Sequence, residues 1–263
     1  MLIIGQVYNL PYRQTEGFIR HLVELEGLSD RIKVPQYNIL SRRAKNIDIK
    51  SEIEKIARLQ RKGEDIEIAL DGSGIKIYGE NEWKVRRHGK GKKRKWKKMH
   101  AAIDIKTRQI TGIYGTNSNV HDGSMFVKLV RDSRKTGDII TCYADGAYTW
   151  HEHFEYLAKN GIKARIPLPK NAIIEKETRD DAIMLRKPRD KAVIEIYDAG
   201  GLKSWKKSSG YHKRSLIENL FSRFKTIFGE RIRARLCEVQ NSILLARALL
   251  LNKFAQICMP KYI

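Results

Sequence analysis

The chain has 263 residues, with 52 Lys or Arg against 30 Asp or Glu, a formal net charge of +22 and a pI near 9.9. This length suits one large domain, or one domain with a small appendage. The charge favours a polyanionic partner, nucleic acid before membrane. Three widely spaced cysteines disfavour a disulfide framework or a zinc knuckle, so we expect Cys142, Cys237 and Cys258 to be small buried residues in a reducing cytoplasm.

Residues 1–62 are predicted to be helical. Apolar residues recur at helical spacing in Gln14–Leu25 and Ile49–Leu59, and a further helix after Pro35 carries Arg42, Arg43 and Lys45. A short turn followed by a basic helix is compatible with a helix-turn-helix that recognises a DNA end. A plain helical bundle that caps the next domain fits equally well, and both interpretations stay open.

From residue 63 the pattern changes to strands and helices. Ile66 to Ile77 alternates around Asp71-Gly72-Ser73-Gly74, which predicts a strand with a tight glycine turn or bulge. Further strands are predicted at 100–104, 109–114, 139–144 and 164–168, and helices at 122–132 and 150–159. Residues 169–207 are predicted to be irregular, with a strand-like piece at 192–197. This order predicts a ribonuclease-H-like α/β catalytic domain over 63–263, a mixed sheet with helices on both faces and a C-terminal helix.

A late helix between Gly210 and Gly229 carries polar residues along one line. At about 100° per residue, the polar residues Tyr211, Arg214, Glu218 and Lys225 share a face. The opposite face is apolar and comprises Leu216, Ile217, Leu220, Phe221, Phe224, Ile227 and Phe228. An ordinary amphipathic helix with a solvated charged face is the alternative interpretation.

The ordered spacing Tyr-x2-Arg-x3-Glu-x6-Lys resembles the signature of DDE transposases from bacterial insertion sequences. The segments LDGSGIKIYG and YADGAYT, which contain Asp71 and Asp145, match the first and second aspartate motifs of that family. Taken singly, each Asp-Gly pair would be read as a turn former. The resemblance covers roughly Asn9 to Ala248. In the family more chain usually precedes this region, so the N-terminus is expected to be shortened.

The resemblance implies that Asp71, Asp145 and Glu218 are the catalytic residues and the metal ligands. Phosphodiester chemistry of this kind can use two divalent ions that stabilise charge on the attacking and leaving oxygens. Mg²⁺ prefers carboxylate and water oxygens, and Mn²⁺ could substitute for it. The resemblance also assigns DNA contacts to Tyr211, Arg214 and Lys225.

A basic run from Lys84 to Lys98 contains ten Lys or Arg and no acidic residue. A solvated loop is the usual interpretation of such a run. Aromatic residues beside the cations favour contact with the DNA backbone instead, which supplies affinity and not sequence preference. The predicted contact residues are Arg86, Arg87, Lys92, Lys93, Arg94, Lys95, Trp96, Lys97 and Lys98.

Two further aspartates are alternative candidates for functional carboxylates. Asp104 leads into a predicted hairpin at 106–108, where a solvated strand end is the simple interpretation. Asp122 is a candidate N-cap of the following helix. The pair His121-Asp122 also recurs in the resembling family near the active site, so a supporting role for both is the alternative.

The function predicted from these observations is that of a transposase. It would cut double-stranded DNA at terminal inverted repeats and join the ends to target DNA. A homodimer or higher synaptic complex, nucleoid-associated and without membrane contact, is expected. The alternatives are a DNA-binding remnant with impaired catalysis or recognition, and a metal-dependent nuclease of the same fold.

Overall fold

The structure is a computed structural model that describes residues 1–46, 48–61, 63–77, 96–174, 187–234 and 236–257. The N-terminal helices are α1 Leu2–Val7, α2 Tyr12–Leu25, α3 Tyr37–Asn46 and α4 Ile49–Arg61. The strands are β1 Ile66–Ile77, β2 Trp96–Asp104, β3 Ile110–Asn117, β4 Ile139–Tyr143, β5 Lys163–Arg165 and β6 Arg231–Ile232. The later helices are α5 Phe126–Arg134, α6 His151–Lys159, α7 Pro188–Asp198, α8 Leu202–Ser208, α9 Ser215–Phe228 and α10 Cys237–Ile257.

The described strands form one mixed sheet in the order β3-β2-β1-β4-β5, with β6 pairing with the far end of β1. The first three strands are an antiparallel meander, whereas β4 runs parallel to β1 and β5 runs parallel to β4. Helices cover both faces. The predicted ribonuclease-H-like α/β fold is therefore confirmed.

Alternation along β1 divides the core into two parts, because successive side chains in a strand point to opposite faces. Ala69 and Ile75 face a cluster built with α4, α9 and α10. Ile66, Ile68 and Leu70 face a second cluster that includes α5 and α6. Asp71 has the parity of Ala69 and Ile75, so it lies on the α9 side of the sheet.

Several predicted details were wrong. Residues 71–74 form no turn or bulge against β2, because β1 pairs with β2 in unbroken register from Ile68 to Lys76. Residues 192–197 belong to helix α7, which starts at Pro188, a residue suited to a first helical position, and ends before Gly200 and Gly201. Residues 202–208 are also helical. The β-branched side chains of 192–197 wrongly indicated a strand. Their weak preference for strands is outweighed by the proline at the start of the helix and the glycines after its end.

The N-terminal helices pack directly on the sheet domain. Ile49 and Ile53 of α4 belong to the same core cluster as α9 and α10. At the end of α4, the Arg61 guanidinium pairs with the Asp104 carboxylate, and the two side chains are 4% and 1% exposed. The prediction that Asp104 is a solvated strand end was therefore wrong: burial of the charge is compensated by Arg61.

The cysteines differ from one another. Cys142 is buried and free, as expected. Cys237 is also free but exposed, which corrects the expectation, and Cys258 lies outside the described residues. Within the described ranges, none of the helices has the length and apolar character needed to cross a bilayer.

Candidate active site

Asp71 lies within β1, and Asp145 lies just past the end of the neighbouring parallel strand β4. Ala69 of β1 pairs with Tyr143 of β4, and each aspartate lies two residues beyond its member of that pair. Strand alternation directs Asp71 to the α9 face, and Asp145 is close enough to influence the charges of Asp71 and Arg214. Local hydrogen bonds orient them: Asp71 Oδ1 accepts from the Gly72 N–H at 2.7 Å, and Asp145 Oδ1 accepts from the Ala147 N–H at 2.9 Å.

Glu218 reaches the same region from α9. The helix buries Ile217, Leu220, Phe221, Phe224 and Phe228 against the sheet, which leaves Glu218 on its polar side with 57% of its side chain exposed. Ile227, predicted for the apolar stripe, is 37% exposed and lies at the edge of that stripe. The motif helix also begins differently from the prediction, since Tyr211–Arg214 form a 3-10 turn before α9.

Arg214 bridges the two carboxylates that the sequence places 147 residues apart. Its Nη2 donates to Asp71 Oδ2 at 2.5 Å, and its Nη1 donates to Glu218 Oε1 at 2.5 Å. The sequence predicted that Arg214 contacts a DNA phosphate. In the structure, which contains no DNA, its guanidinium compensates the negative charge between Asp71 and Glu218.

Burial raises the pKa of Asp71, and Arg214 opposes that rise while the nearby carboxylates of Asp145 and Asp122 add to it. Burial also opposes the charge on Arg214, but Asp71 and the neighbouring anions outweigh it and raise the pKa of the guanidinium. The cluster is thus a set of mutually interacting acidic groups with one central cation.

Tyr211 is held inside the fold more firmly than the sequence suggested. Its hydroxyl donates to the Ala144 carbonyl at 3.3 Å, and its ring packs beside the buried Trp205 with centroids 5.9 Å apart. Burial raises the pKa of Tyr211 to about 12, so the hydroxyl is neutral at ordinary pH. Lys225 lies two helical turns beyond Glu218, about 10 Å along the axis, and within electrostatic range of Glu230.

Asp122 lies against β1 from the opposite face of the sheet. A Cβ on Gly72 would stand 2.4 Å from Asp122 Oδ1, so only glycine leaves space for this carboxylate. Asp122 Oδ2 accepts from Lys98 Nζ at 3.1 Å. Asp122 is not the helix N-cap that was predicted. The capping side chain is His121, whose Nδ1 accepts from the Gly123 N–H at 3.1 Å.

His100 is a site residue that sequence reasoning missed. It is fully buried on β2, where it pairs across the sheet with Gly72, and its Nε2 contacts Thr116 Oγ1 at 2.8 Å. Its Nδ1 lies 3.2 Å from Asp122 Oδ1 without hydrogen-bond alignment, and neither atom has another hydrogen-bond partner among the described residues. Burial lowers the pKa of His100. A histidine within the otherwise apolar run 99–103 of β2 was the available signal.

The basic run is only partly described. Arg86, Arg87, Lys92, Lys93, Arg94 and Lys95 lie outside the described residues. Trp96 packs over Gly74, and its ring lies 5.6 Å from Lys76 Nζ. Lys97 is 3% exposed and its Nζ contacts Cys237 Sγ at 3.1 Å, so its predicted place on a DNA-binding surface was wrong. Strand alternation turns Lys97 inward and Lys98 toward Asp122.

Comparison with known families identifies the family to which the chain belongs. A family profile described as a transposase DDE domain matches residues 62–253. The chain belongs to the DDE transposases. A second transposase DDE domain profile matches residues 1–80, which include α1 to α4 and all of β1. These families comprise enzymes that cut DNA and transfer strands, which confirms the predicted enzyme class.

DDE transposases generally use divalent metals, and the chemistry of the donor set fits them. Asp71, Asp145 and Glu218 offer carboxylate oxygens, which hard divalent ions prefer. In the part of the chain that the structure describes, no three acidic, His or Cys side chains are close enough to hold an ion as they stand. Arg214 lies between two of the carboxylates and supplies the compensating charge in this arrangement.

Proposed function

We propose that this chain catalyses divalent-metal-dependent cleavage of DNA at the ends of an insertion element and joins those ends to target DNA. The supporting observation is the placement of Asp71 on β1 and of Asp145 just past the neighbouring parallel strand β4, with Glu218 linked to Asp71 through Arg214. Carboxylates from distant parts of the chain are thus brought into one region, with Arg214 in contact with Asp71 and Glu218 and within electrostatic range of Asp145. A solvated helix face would not account for that convergence.

Asp71, Asp145 and Glu218 would hold the metal, two Mg²⁺ ions with Mn²⁺ as a substitute. When bound, such ions stabilise the charge that develops on the attacking and leaving oxygens of a phosphodiester. Water attacks first and frees a 3′-hydroxyl, which then attacks the target strand. The fixed backbone around Asp71 and Asp145 keeps their carboxylates oriented for both steps, because each already accepts a backbone N–H.

Arg214 is proposed to exchange partners when DNA arrives. Its guanidinium presents several donors in a planar fork that matches carboxylate and phosphate equally well. In the free protein the fork binds Asp71 and Glu218. A scissile-strand phosphate would compete for the same donors, and the released carboxylates would then be available to the metal.

The remaining DNA contacts are assigned to other parts of the chain. Residues 1–62 are proposed to recognise the element end, and 63–263 to form the catalytic domain. Lys225 and the cations of the basic run 84–98 other than Lys97 would bind phosphates along the duplex. Because two ends must be joined, a homodimer or higher synaptic complex is proposed as the active form.

The deciding experiment compares wild type with Glu218→Gln, which keeps size and removes one charge. We expect metal-dependent nicking of end DNA to fall by orders of magnitude. Retention of DNA on a gel should persist, because loss of an anion beside phosphate does not weaken association. Glu155→Gln, an exposed acid on α6, serves as the matched control and should leave both measurements unchanged.

Near wild-type nicking by Glu218→Gln would contradict the assignment of Glu218, and the DDE mechanism for this chain with it. An assay for joined product in the wild type separates strand transfer from simple hydrolysis. Nicking without joined product would favour a nuclease of the same fold.

A further inference from the structure

Four rings form a continuous stack that runs from the core to the surface. Phe126 and His153 are buried and lie 4.2 Å apart between centroids, with ring planes 23° from parallel. His153 and Trp150 follow at 5.1 Å and 20°, and Trp150 and His121 at 5.1 Å and 20°. Trp150 is 39% exposed and His121 is also exposed. The two inner rings of the column are therefore buried, and the two outer rings are exposed to solvent.

The column is held in place by backbone contacts. His153 Nδ1 donates to the Tyr148 carbonyl at 3.0 Å, and burial lowers the pKa of this histidine, which favours its neutral form. His121 Nδ1 accepts from the Gly123 N–H at 3.1 Å. A Cβ on Gly123 would stand 3.0 Å from the Trp150 ring, so glycine permits the close approach. The outer rings are thus oriented before any ligand binds.

The exposed end of the column lies beside the candidate active site. His121 is followed directly by Asp122, whose carboxylate packs on Gly72, the neighbour of Asp71. Trp150 follows the turn that Asp145 caps. The two exposed rings are therefore at the same end of the sheet as the catalytic carboxylates, but on the face opposite α9.

We propose that the exposed ring of His121, backed by Trp150, is a stacking site for an unpaired nucleobase of the DNA end. Aromatic faces bind bases with little dependence on sequence, because every base has a π-face. Tyr211, the residue that the sequence suggested for stacking, is instead engaged with Trp205 and Ala144.

This proposal rests on the proposed function for the identity of the ligand, but its test needs no cleavage. The probe is a short duplex with one unpaired 2-aminopurine at its 3′ end, titrated with the full chain in EDTA. Stacking quenches 2-aminopurine fluorescence, and the same titration yields an affinity. A fully paired duplex and a duplex with an abasic overhang are the reference ligands.

We expect the wild type to bind the unpaired-base duplex about tenfold more tightly than the abasic one, with quenching. Trp150→Leu and His121→Ala should each reduce that preference while leaving affinity for the paired duplex unchanged. Tyr197→Ala removes an aromatic ring that is 83% exposed on α7 and should change nothing. If Trp150→Leu fails to fold, His121→Ala, at an exposed residue, still tests whether the preference for the unpaired base depends on these rings.

A wild type without preference for the unpaired base would overturn the proposal, and so would a preference that survives both substitutions. An equal loss of affinity for all three duplexes would overturn it too, since it would mean a general effect on DNA binding. Metal-dependent nicking is measured separately. Tighter binding of the unpaired-base duplex without nicking would count against the proposed function and would support the stacking site. Nicking without that tighter binding would support the proposed function and count against the stacking site.

Discussion

The Asp122 carboxylate occupies the place that a side chain on Gly72 would fill. A Cβ at Gly72 would stand 2.4 Å from Asp122 Oδ1 and 3.5 Å from His100 Nδ1. We expect Gly72→Ala to destabilise the fold by about 1–3 kcal/mol, because the buried neighbours must move to accept the methyl group. Urea unfolding of the wild type and the variant measures this.

Gly74→Ala is the matched control on the same strand and face. Among the described residues its Cβ would meet only the Trp96 ring, at 3.3 Å, and that ring is partly exposed and can shift. In an Asp122→Ala background the cost of Gly72→Ala should shrink, because the clashing oxygen is gone. If the losses of unfolding free energy from Gly72→Ala and Asp122→Ala simply add, the contact with Asp122 is not what excludes a side chain at Gly72.

The Arg61–Asp104 ion pair joins α4 to the end of β2 in a buried position. Arg61→Met should cost about 3–5 kcal/mol of unfolding free energy, because it leaves a buried carboxylate without its counter-charge. Arg58→Met, an exposed position on the same helix, is the control and should cost far less. Equal stability of the two variants in urea would contradict a structural role for the pair.

The lowered pKa of Asp132 should make the free energy of unfolding decrease at low pH. Burial opposes its ionisation, but hydrogen bonds from Lys50 and Tyr114 outweigh burial and hold its pKa below the ordinary 3.8. Its contribution to stability is therefore present above pH 3.8 and is lost as the pH falls through the folded-state pKa. The gap in unfolding free energy between wild type and Asp132→Asn should be constant from about pH 7 to 5 and narrow below 3.8.

Asp30→Asn, at an exposed aspartate, is the control for this series and should show little gap at any pH. A gap for Asp132→Asn that does not change with pH would mean that the hydrogen bonds from Lys50 and Tyr114 do not favour the ionised form.

The basic run predicts the salt dependence of DNA binding. Neutralising Lys92, Lys93 and Lys95 should weaken binding to all sequences alike. The slope of log K against log salt should fall by roughly 0.9 for each lost phosphate contact. Lys97→Met should leave the slope unchanged, because Lys97 is buried against Cys237. An unchanged slope for the first set would remove this segment from the DNA interface.

Local patterns accounted for much of the site. The alternation of β1, the apolar run of β4 and the stripe of α9 all depend on neighbours within a few residues, so they can be read from sequence. Asp71, Asp145 and Glu218 were identified together because each lies within a recognisable local motif. Their convergence followed from the expected order of elements. The glycines beside Asp71 were misread as a turn, because pairing with β2 keeps that segment extended.

Tertiary structure decided the partners of charged and aromatic side chains. Nothing local to Arg214 says that it binds Asp71, or that Arg61 neutralises Asp104. His100 meets Asp122, and His121 meets Trp150, only because the sheet and the turns after β3 and β4 bring distant residues together. Sequence determines which side chains are available and where a strand or helix directs them. Which of them meet depends on how those elements pack, since the interactions act over a few ångströms between residues far apart in the chain.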